Sequence, residues 1–345
     1  MDFGGADDIL FEVRGRAGIV TLNRPSALNA VNERMVAALS RALDAWRSND
    51  AVAHIVLKAE GRAFSAGGDI LDVYEAGRAG QPKPGFFADE YRLNASIARY
   101  EKPYVSLIDG IVMGGGVGIS GHGSHRVMSE KAVYAMPEVG IGFFPDVGGS
   151  HILSRLPGEF GMYLALTGNR IRWGDAAAVG LATHAVRSER LPELLEALCE
   201  AVNLDAALAG FAEDIPRETD DARMHAIARH FSYDALDDIV AALRDSGDKW
   251  LHSVHDTILS RCPTSLRVAF RQVRAGAAMT MDECMRMEYR ILRRMLEGHE
   301  FYEGIRAALI DRSTPPQWRP ARLEDVSQDD VDAYFAPLDE GDLVL

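Results

Sequence analysis

Glycine-rich turns and two carboxylates are the residues of this chain that most clearly suggest chemistry. A triple glycine at 114–116 would let the backbone approach a ligand closely and point bare N–H groups at it. Further along, Glu138 and Asp146 lie in an otherwise apolar segment, where a carboxylate needs a specific reason to be present. Backbone N–H donors combined with a carboxylate indicate chemistry at a carbonyl group whose oxygen becomes negatively charged.

A second glycine turn could supply further donors. Gly67 and Gly68 follow a strand predicted at 54–57, just as the triple glycine follows a strand predicted at 104–108. Ligands in open α/β arrangements sit at the carboxyl ends of strands, so N–H groups from both turns can bind one carbonyl oxygen. The alternative for either motif alone is an ordinary tight turn. Neither motif fits a nucleotide-binding fingerprint. The triple glycine lacks the Lys-Ser/Thr of a P-loop, and no glycine fingerprint in the front half is followed by an acidic residue at the distance that a dinucleotide ribose requires.

Each candidate carboxylate also has a structural interpretation. Glu138 follows Pro137 and could be a turn residue with locally satisfied oxygens. Asp146 could cap a helix that starts near Ser150, a role that aspartate fills well. Glu90 could be one of the acidic residues that helix N-termini often carry. These alternatives stay open at this point.

The elements that must position these residues follow an α/β pattern in the front of the chain. A helix that begins after Asn32 shows a regular apolar stripe. Strands are predicted at 19–23, 54–57, 104–108, 126–128 and 133–136. Beyond residue 191 the strand signals stop, and helices are predicted at 191–203, 220–231, 233–244, 265–274 and 281–296. We therefore expect an α/β core at 1–190 and an all-helical region at 191–345, with a flexible loop at 77–85.

Composition narrows the range of partners and compartments. The formal net charge of −14 disfavours nucleic acid and anionic membranes as partners. Three widely spaced cysteines favour a reducing compartment over a disulfide framework or a zinc site. The histidines at 122, 125 and 151 lack the spacing of a zinc helix, so no metal is expected. No apolar run reaches membrane-spanning length and the N-terminal residues lack a signal pattern, so we expect a cytoplasmic protein.

Several sequence blocks resemble the signature blocks of the crotonase (enoyl-CoA hydratase/isomerase) superfamily. These blocks are 21–29, 63–69, 109–118 and 136–142. Later blocks resemble the 3-hydroxyisobutyryl-CoA hydrolase branch of that superfamily, at 143–149, 262–267, 288–290, 298–311 and 318–320. No motif is recognised from about 187 to 260. The resemblance implies an α/β crotonase (ClpP-like) fold of repeated ββα units with an all-helical C-terminal region.

The resemblance also implies a set of site residues. The N–H groups of Gly68 and Gly115 would form an oxyanion hole, with Glu138 as the principal catalytic carboxylate. Hydratases of the superfamily carry a second glutamate at the position that Gly118 occupies here, which counts against hydration. The hydrolase branch implies a further catalytic role for Asp146. The remaining implied substrate-binding residues are Glu90, Gly67, Asp69, Gly114, Ala66 and Arg24.

The implied activity is hydrolysis of an acyl-CoA thioester, with 3-hydroxyisobutyryl-CoA of valine breakdown as the expected substrate. Glu138 would act either as a nucleophile or as a general base on water. Coenzyme A is then part of the substrate and no cofactor is expected. Two alternatives remain: an enoyl-CoA isomerase or hydratase of the same superfamily, and a non-catalytic acyl-CoA-binding member. A homo-oligomer is a further option, because hydratases of the superfamily form trimers.

Overall fold

The computed structural model describes residues 1–345. The ten strands are β1 Ile9–Arg14, β2 Ala17–Leu22, β3 His54–Ala59, β4 Ala63–Ser65, β5 Tyr104–Ile108, β6 Ile111–Met113, β7 His125–Met128, β8 Val133–Ala135, β9 Ile171–Arg172 and β10 His184–Ala185. The sixteen helices are α1 Glu33–Arg47, α2 Ile70–Arg78, α3 Pro84–Ala98, α4 Gly115–Ser120, α5 Gly149–Leu153, α6 Phe160–Thr167, α7 Trp173–Ala178, α8 Leu191–Glu200, α9 Leu204–Ala209, α10 Asp221–His230, α11 Leu236–Arg244, α12 Lys249–Leu259, α13 Pro263–Gly276, α14 Met281–Met295, α15 His299–Ile305 and α16 Gln328–Phe335. A short 3₁₀ turn, Glu138–Ile141, carries one of the candidate carboxylates.

Contacts group the chain into two compact units, and each unit combines separate stretches of sequence. The first unit consists of Met1–Asp69, Asp89–Ala135 and Arg170–Glu218. The second consists of Ile70–Ala88, Met136–Asn169 and Thr219–Leu345. The division into domains at 1–190 and 191–345 stays a prediction.

The first unit contains both sheets of the protein. The larger sheet has the order β1-β2-β3-β5-β7-β10, and all of its pairings are parallel except that of β1 with β2. The smaller sheet has the order β4-β6-β8-β9, with β9 antiparallel to its neighbour. All six residues of β2 are buried, as expected for a strand covered on both faces.

Helices cover the larger sheet of this unit. Val56 and Val105 of the sheet belong to one buried apolar cluster with Leu194 and Leu198 of α8. The predicted cap of α1 is confirmed, because the Asn32 side chain accepts a hydrogen bond from the N–H of Met35 at 2.9 Å. Secondary structure thus follows the apolar pattern, and the expected α/β class with a helical C-terminal region is confirmed.

The second unit is built from helices. Helix α13 contacts α5 and α6, while α14 contacts α5 and α16. Helix α15 contacts the 138–141 turn and α2. None of the helices of the protein combines the length and the apolar character needed to cross a membrane.

The loop predicted at 77–85 is shorter than expected. Helix α2 continues to Arg78 and α3 begins at Pro84, so only residues 79–83 lie between the helices. Proline suits the first turn of a helix, because its φ angle is already helical and the missing N–H would have no partner there. The predicted helices do not include α12 or α16, although the buried Leu251, Val254 and Ile258 of α12 have helical spacing.

Candidate active site

Two glycines of the first unit, Gly68 and Gly115, lie close together. Val31 binds the segment on either side of Gly68, through its N–H to the Gly67 oxygen and its oxygen to the Asp69 N–H, both at 2.8 Å. In an extended segment successive N–H groups alternate in direction, so the Gly68 N–H points away from Val31. Gly115 is the first residue of α4, where a helical N–H has no intrahelical partner. A Cβ on Gly115 would lie 3.1 Å from the Gly68 nitrogen.

Glycines allow this close approach. Gly67 has a φ of 123° and Gly114 a φ of 46°, in a region that side chains disfavour. A Cβ on Gly116 would lie 2.6 Å from the backbone oxygen of Ser65. The two glycine turns therefore meet, and neither the Gly68 nor the Gly115 N–H donates a hydrogen bond within the chain.

Glu90 lies beside this pair of donors. Its side chain is only 2% exposed, and its Oε1 atom would be 2.6 Å from a Cβ on Gly115. Because α3 begins at Pro84, Glu90 lies in the second turn of the helix, so its interpretation as a helix-end acid is wrong. The neighbouring Asp89 is exposed and pairs with Arg92 at 2.8 Å. Glu90 thus places a buried carboxyl group next to two free N–H donors.

Arg24, Asp69 and Ala66 hold the loop that carries these donors. Arg24 pairs with Asp69 at 3.1 Å and donates to the Ala30 oxygen at 2.7 Å. The Ala66 N–H donates to the Leu28 oxygen at 3.0 Å. The Arg24 guanidinium is therefore already engaged within the chain, and its predicted contact with coenzyme A stays a prediction.

Glu138 begins a tightly held turn of the second unit. The Val139 oxygen accepts a hydrogen bond from the Cys262 N–H at 3.0 Å. Gly142 ends the turn with a φ of 69°, and a Cβ there would lie 2.1 Å from the Glu300 oxygen. Glu138 itself is 5% exposed, and its Oε2 atom has no hydrogen-bond partner. The Glu138 carboxyl group bonds its own backbone N–H, so the turn satisfies part of this group and leaves Oε2 without a partner.

Asp146 is also buried in the second unit, at 5% exposure. Helix α5 begins at Gly149, and Gly148 occupies the cap position with no side-chain cap. Asp146 lies two residues before that position, so its interpretation as a helix cap is wrong. The sequence between Pro145 and Gly149 forms a short loop in which Asp146 is an internal residue.

Three carboxyl groups of the second unit influence one another. Burial raises the pKa of Glu138 well above its usual value, and the charges of Asp146 and then Glu288 raise it further. Burial also raises the pKa of Glu288 to about 8, although three hydrogen bonds act in the opposite direction. Asp146 adds to that rise as well. Ionisation of one group therefore disfavours ionisation of the others.

Glu288 and Gln272 are buried polar residues for which the sequence predicts no role. Both side chains are fully buried. The signal was present, because Glu288 lies on the apolar stripe of α14, and Gln272 on that of α13. A polar residue in the middle of an apolar stripe indicates a specific buried partner.

Phe143 lies in an aromatic cluster close in sequence to Glu138. Its ring centroid is 6.0 Å from that of Phe87, 4.6 Å from that of Phe144 and 5.2 Å from that of Phe301. Phe86 extends the cluster through Phe87 at 5.1 Å. A role of these rings in acyl selection stays a prediction.

Comparison with known proteins gives consistent relatives over the whole chain. The model of the enoyl-CoA hydratase/isomerase family matches residues 17–335. A relative from Danio rerio is 43% identical over 100% of this chain and 94% of its own, and is named 3-hydroxyisobutyryl-CoA hydrolase, mitochondrial. A Homo sapiens relative with the same name is 40% identical over 98% of this chain and 91% of its own.

Solved structures agree on the fold but carry other names. A structure from Mycobacterium thermoresistibile, titled a carnitinyl-CoA dehydratase, is 42% identical with a TM-score of 0.92, covering 97% of this chain and 98% of its own. A structure from Rhodobacter sphaeroides 2.4.1, titled an enoyl-CoA hydratase, is 37% identical with a TM-score of 0.92, covering 98% and 100%. The expected fold is confirmed.

The names of the relatives contradict the expected cytoplasmic location. The hydrolases from Danio rerio and Homo sapiens are both named as mitochondrial. The expectation was wrong because its basis was too general: free cysteines, like the lack of a secretory pattern or of a membrane-length apolar run, are compatible with any reducing compartment.

The family model and the curated relatives agree on the family of this chain. The match extends over more than nine-tenths of residues 1–345, and the glycine turns and carboxylates lie within it. The chain belongs to the enoyl-CoA hydratase/isomerase family, that is, to the crotonase superfamily.

Proposed function

We propose that the protein hydrolyses an acyl-CoA thioester, 3-hydroxyisobutyryl-CoA, to 3-hydroxyisobutyrate and coenzyme A. The observation that carries this proposal is the approach of Gly68 and Gly115, whose N–H groups are both free to donate to an oxygen. The names of the curated relatives support the choice of substrate. Coenzyme A enters as part of the substrate, and the reaction as proposed needs no cofactor.

In this proposal the two N–H groups bind the thioester oxygen. As a nucleophile adds to the carbonyl carbon, negative charge moves onto that oxygen and both hydrogen bonds become stronger. Loss of one such donor costs about 10²–10³ in rate. Ala66, Gly67, Asp69 and Gly114 shape the backbone around the oxygen.

Glu138 supplies the nucleophile in one of two ways. As a general base it takes a proton from water, the oxygen of which attacks the carbonyl carbon. As a nucleophile its carboxylate attacks that carbon, displaces the CoA thiolate and leaves a mixed anhydride, which water then hydrolyses. In both routes the carbon–sulfur bond breaks and the thiolate finally takes up a proton. A raised pKa suits a carboxylate that must exchange protons near neutral pH.

Asp146 and Glu90 complete the proposed site. One of them binds the 3-hydroxyl group of the acyl chain, and Asp146 also can deliver the proton to the departing thiolate. A buried carboxylate next to a hydroxyl group makes a strong hydrogen bond, so these residues favour hydroxylated acyl groups.

Hydration of an enoyl-CoA is the second candidate function. Two related structures are titled as a dehydratase and a hydratase, and the Glu90 carboxyl group next to Gly115 offers a second carboxylate near the N–H donors. The position of the second glutamate of superfamily hydratases is however Gly118, which has no side chain to act.

The deciding experiment supplies both substrates to the wild type and to Glu138→Gln. Free thiol is measured with 3-hydroxyisobutyryl-CoA, and loss of the conjugated double bond is followed with crotonyl-CoA. Thiol release that disappears in the variant, with crotonyl-CoA unchanged, supports the hydrolase. Hydration without thiol release would replace the proposal by the second candidate, and CoA binding without any turnover would indicate a non-catalytic member.

The proposed activity is compatible with a homo-oligomer and with a monomer. Light scattering on the purified protein measures it directly, and a mass near 37.7 kDa would exclude the homo-oligomer.

A further inference from the structure

The loop around Asp146 has an unfavourable backbone. Val147 has a φ of 51° and Gly148 a φ of 86°. A β-branched residue rarely adopts a positive φ, and such a conformation costs on the order of 1–3 kcal/mol. It persists only where neighbouring groups hold it in place. The loop must therefore be fixed from outside.

Two side chains from distant helices bind the loop on either side of Asp146. Before Asp146, the Gln272 amide of α13 donates to the Pro145 oxygen at 2.5 Å. After Asp146, the Glu288 carboxylate of α14 accepts from the Gly148 N–H at 2.8 Å. Glu288 also binds both the N–H, at 3.0 Å, and the hydroxyl group of Ser150.

These two side chains are costly to bury. Both are fully inaccessible to solvent, and the Oε1 atom of Gln272 has no hydrogen-bond partner. Apolar residues of similar volume generally cost less in a protein interior than a carboxylate or an unsatisfied amide. Stability alone therefore explains Gln272 and Glu288 poorly, whereas a requirement for one particular loop conformation explains both.

We propose that Gln272 and Glu288 are positioning residues that hold the backbone on both sides of Asp146 and thereby orient its carboxylate toward the substrate. The inference rests on the proposed function, because it takes Asp146 as part of the reacting site. Glu288 has a second effect through its charge, which Gln272 lacks.

The charge effect follows from the groups around Glu288. Its carboxyl group interacts with those of Asp146 and Glu138. The Cys284 thiol, itself close to Arg155, also lies in its field. An ionised Glu288 makes ionisation of the other two carboxyl groups harder, so a neutral residue at this position makes it easier.

The test compares Glu288→Gln, Glu288→Asp and Gln272→Met in the full chain, with kcat, KM and the pH dependence of kcat/KM measured for thiol release. Substitutions at both helix positions should lower kcat by about 10- to 100-fold with a smaller change in KM. A misplacement of the Asp146 carboxylate by about 1 Å can lower the rate about 10²-fold. Only Glu288→Gln should move the acid limb of the pH profile to lower pH. Glu288→Asp keeps the charge and should leave that limb in place while kcat stays low.

Matched controls separate positioning from folding. Arg286 lies two residues before Glu288 on α14 and therefore on another side of the helix. The variant Arg286→Gln should retain wild-type kcat. Circular dichroism gives the folded fraction of each variant, and activity is expressed per folded molecule. If Glu288→Gln does not fold, Gln272→Met tests the same loop without any change of charge.

Opposing outcomes have different meanings. Wild-type kcat in folded Glu288→Gln and Gln272→Met, with Asp146→Asn strongly impaired, would overturn this inference and leave the proposed function intact. Full thiol release in both Asp146→Asn and Glu138→Gln would instead overturn the proposed site. A fall in kcat with an unmoved acid limb in Glu288→Gln would overturn the charge effect.

Discussion

A Cβ atom on Gly115 would lie 2.6 Å from the Oε1 atom of Glu90, closer than a real side chain can approach. A side chain at position 115 would therefore require the end of the Glu90 side chain, which lies beside the two N–H donors, to move. This relationship makes the N–H donors sensitive to the smallest possible side chain.

We expect Gly115→Ala to lower kcat/KM for thiol release by about 10²–10³-fold, because the added methyl group must displace the Glu90 carboxyl group or the Gly68 backbone at the proposed oxyanion hole. The matched control is Gly85→Ala, which lies on α3 with open space around it. Alanine favours helix, so the control should keep full activity. Unchanged kcat/KM in Gly115→Ala would contradict the proposed role of this N–H group.

Glu138 should make the protein less stable as pH rises. Its pKa in the folded state is raised, so the folded state holds a proton that the unfolded state has already lost. This contribution to stability is complete below the unfolded pKa of about 4.5 and falls by about 1.4 kcal/mol per pH unit between that value and the higher pKa of the folded state. Urea unfolding between pH 5 and 8 should show a shallower decline for Glu138→Gln. The exposed Asp50→Asn should keep the wild-type slope.

Glu90 should contribute to recognition of the 3-hydroxyl group. The measurement is the ratio of kcat/KM for 3-hydroxyisobutyryl-CoA to that for isobutyryl-CoA, which lacks the hydroxyl group. A hydrogen bond to a charged group is worth about 1.5–3 kcal/mol, so Glu90→Gln should reduce this ratio by about 10- to 100-fold. Asp89→Asn, on the exposed side of the same helix, serves as the control. An unchanged ratio would assign the hydroxyl contact to Asp146.

The cysteine thiols should not interfere with a thiol-release assay. All three cysteines are buried, and burial raises the pKa of Cys262 to about 12 and that of Cys284 to about 11. The thiolate is the reactive form, so Ellman's reagent should detect almost no protein thiol in the native state and all three after unfolding in urea. Rapid reaction of a native cysteine would show that one of these sites opens.

The sequence predicted those parts of the fold that depend on local patterns. The cap at Asn32 and the buried strand Tyr104–Ile108 follow from residues next to one another in the chain. Glu288 accepts and Gln272 donates hydrogen bonds to partners far away in the sequence. The local apolar pattern could therefore show only that both residues lie on apolar helix faces. The loop at 77–85 was too long because the helical preference of Pro84 outweighed the glycines around it.

The candidate site likewise contains residues that the sequence predicts and contacts that only the fold establishes. The resemblance to superfamily signature blocks predicted Gly68, Gly115 and Glu138 as candidates, whereas the proximity of Glu90 to Gly115 depends on how the chain folds. The structural interpretations of Asp146 and Glu90 were excluded only by the observed starts of α5 and α3, since helix boundaries are the least reliable part of a sequence pattern.

The hydrogen bonds that hold the Asp146 loop join residues 127 and 140 positions apart. During synthesis on a ribosome, which adds about 5–20 residues per second, the loop leaves the exit tunnel long before either partner exists. Contacts of such long sequence separation form late, because much of the chain must already be ordered when they close. The nascent protein would then gain its reactive geometry only near the end of translation, and loss of the last few helices would leave a chain that carries Asp146 without the means to orient it.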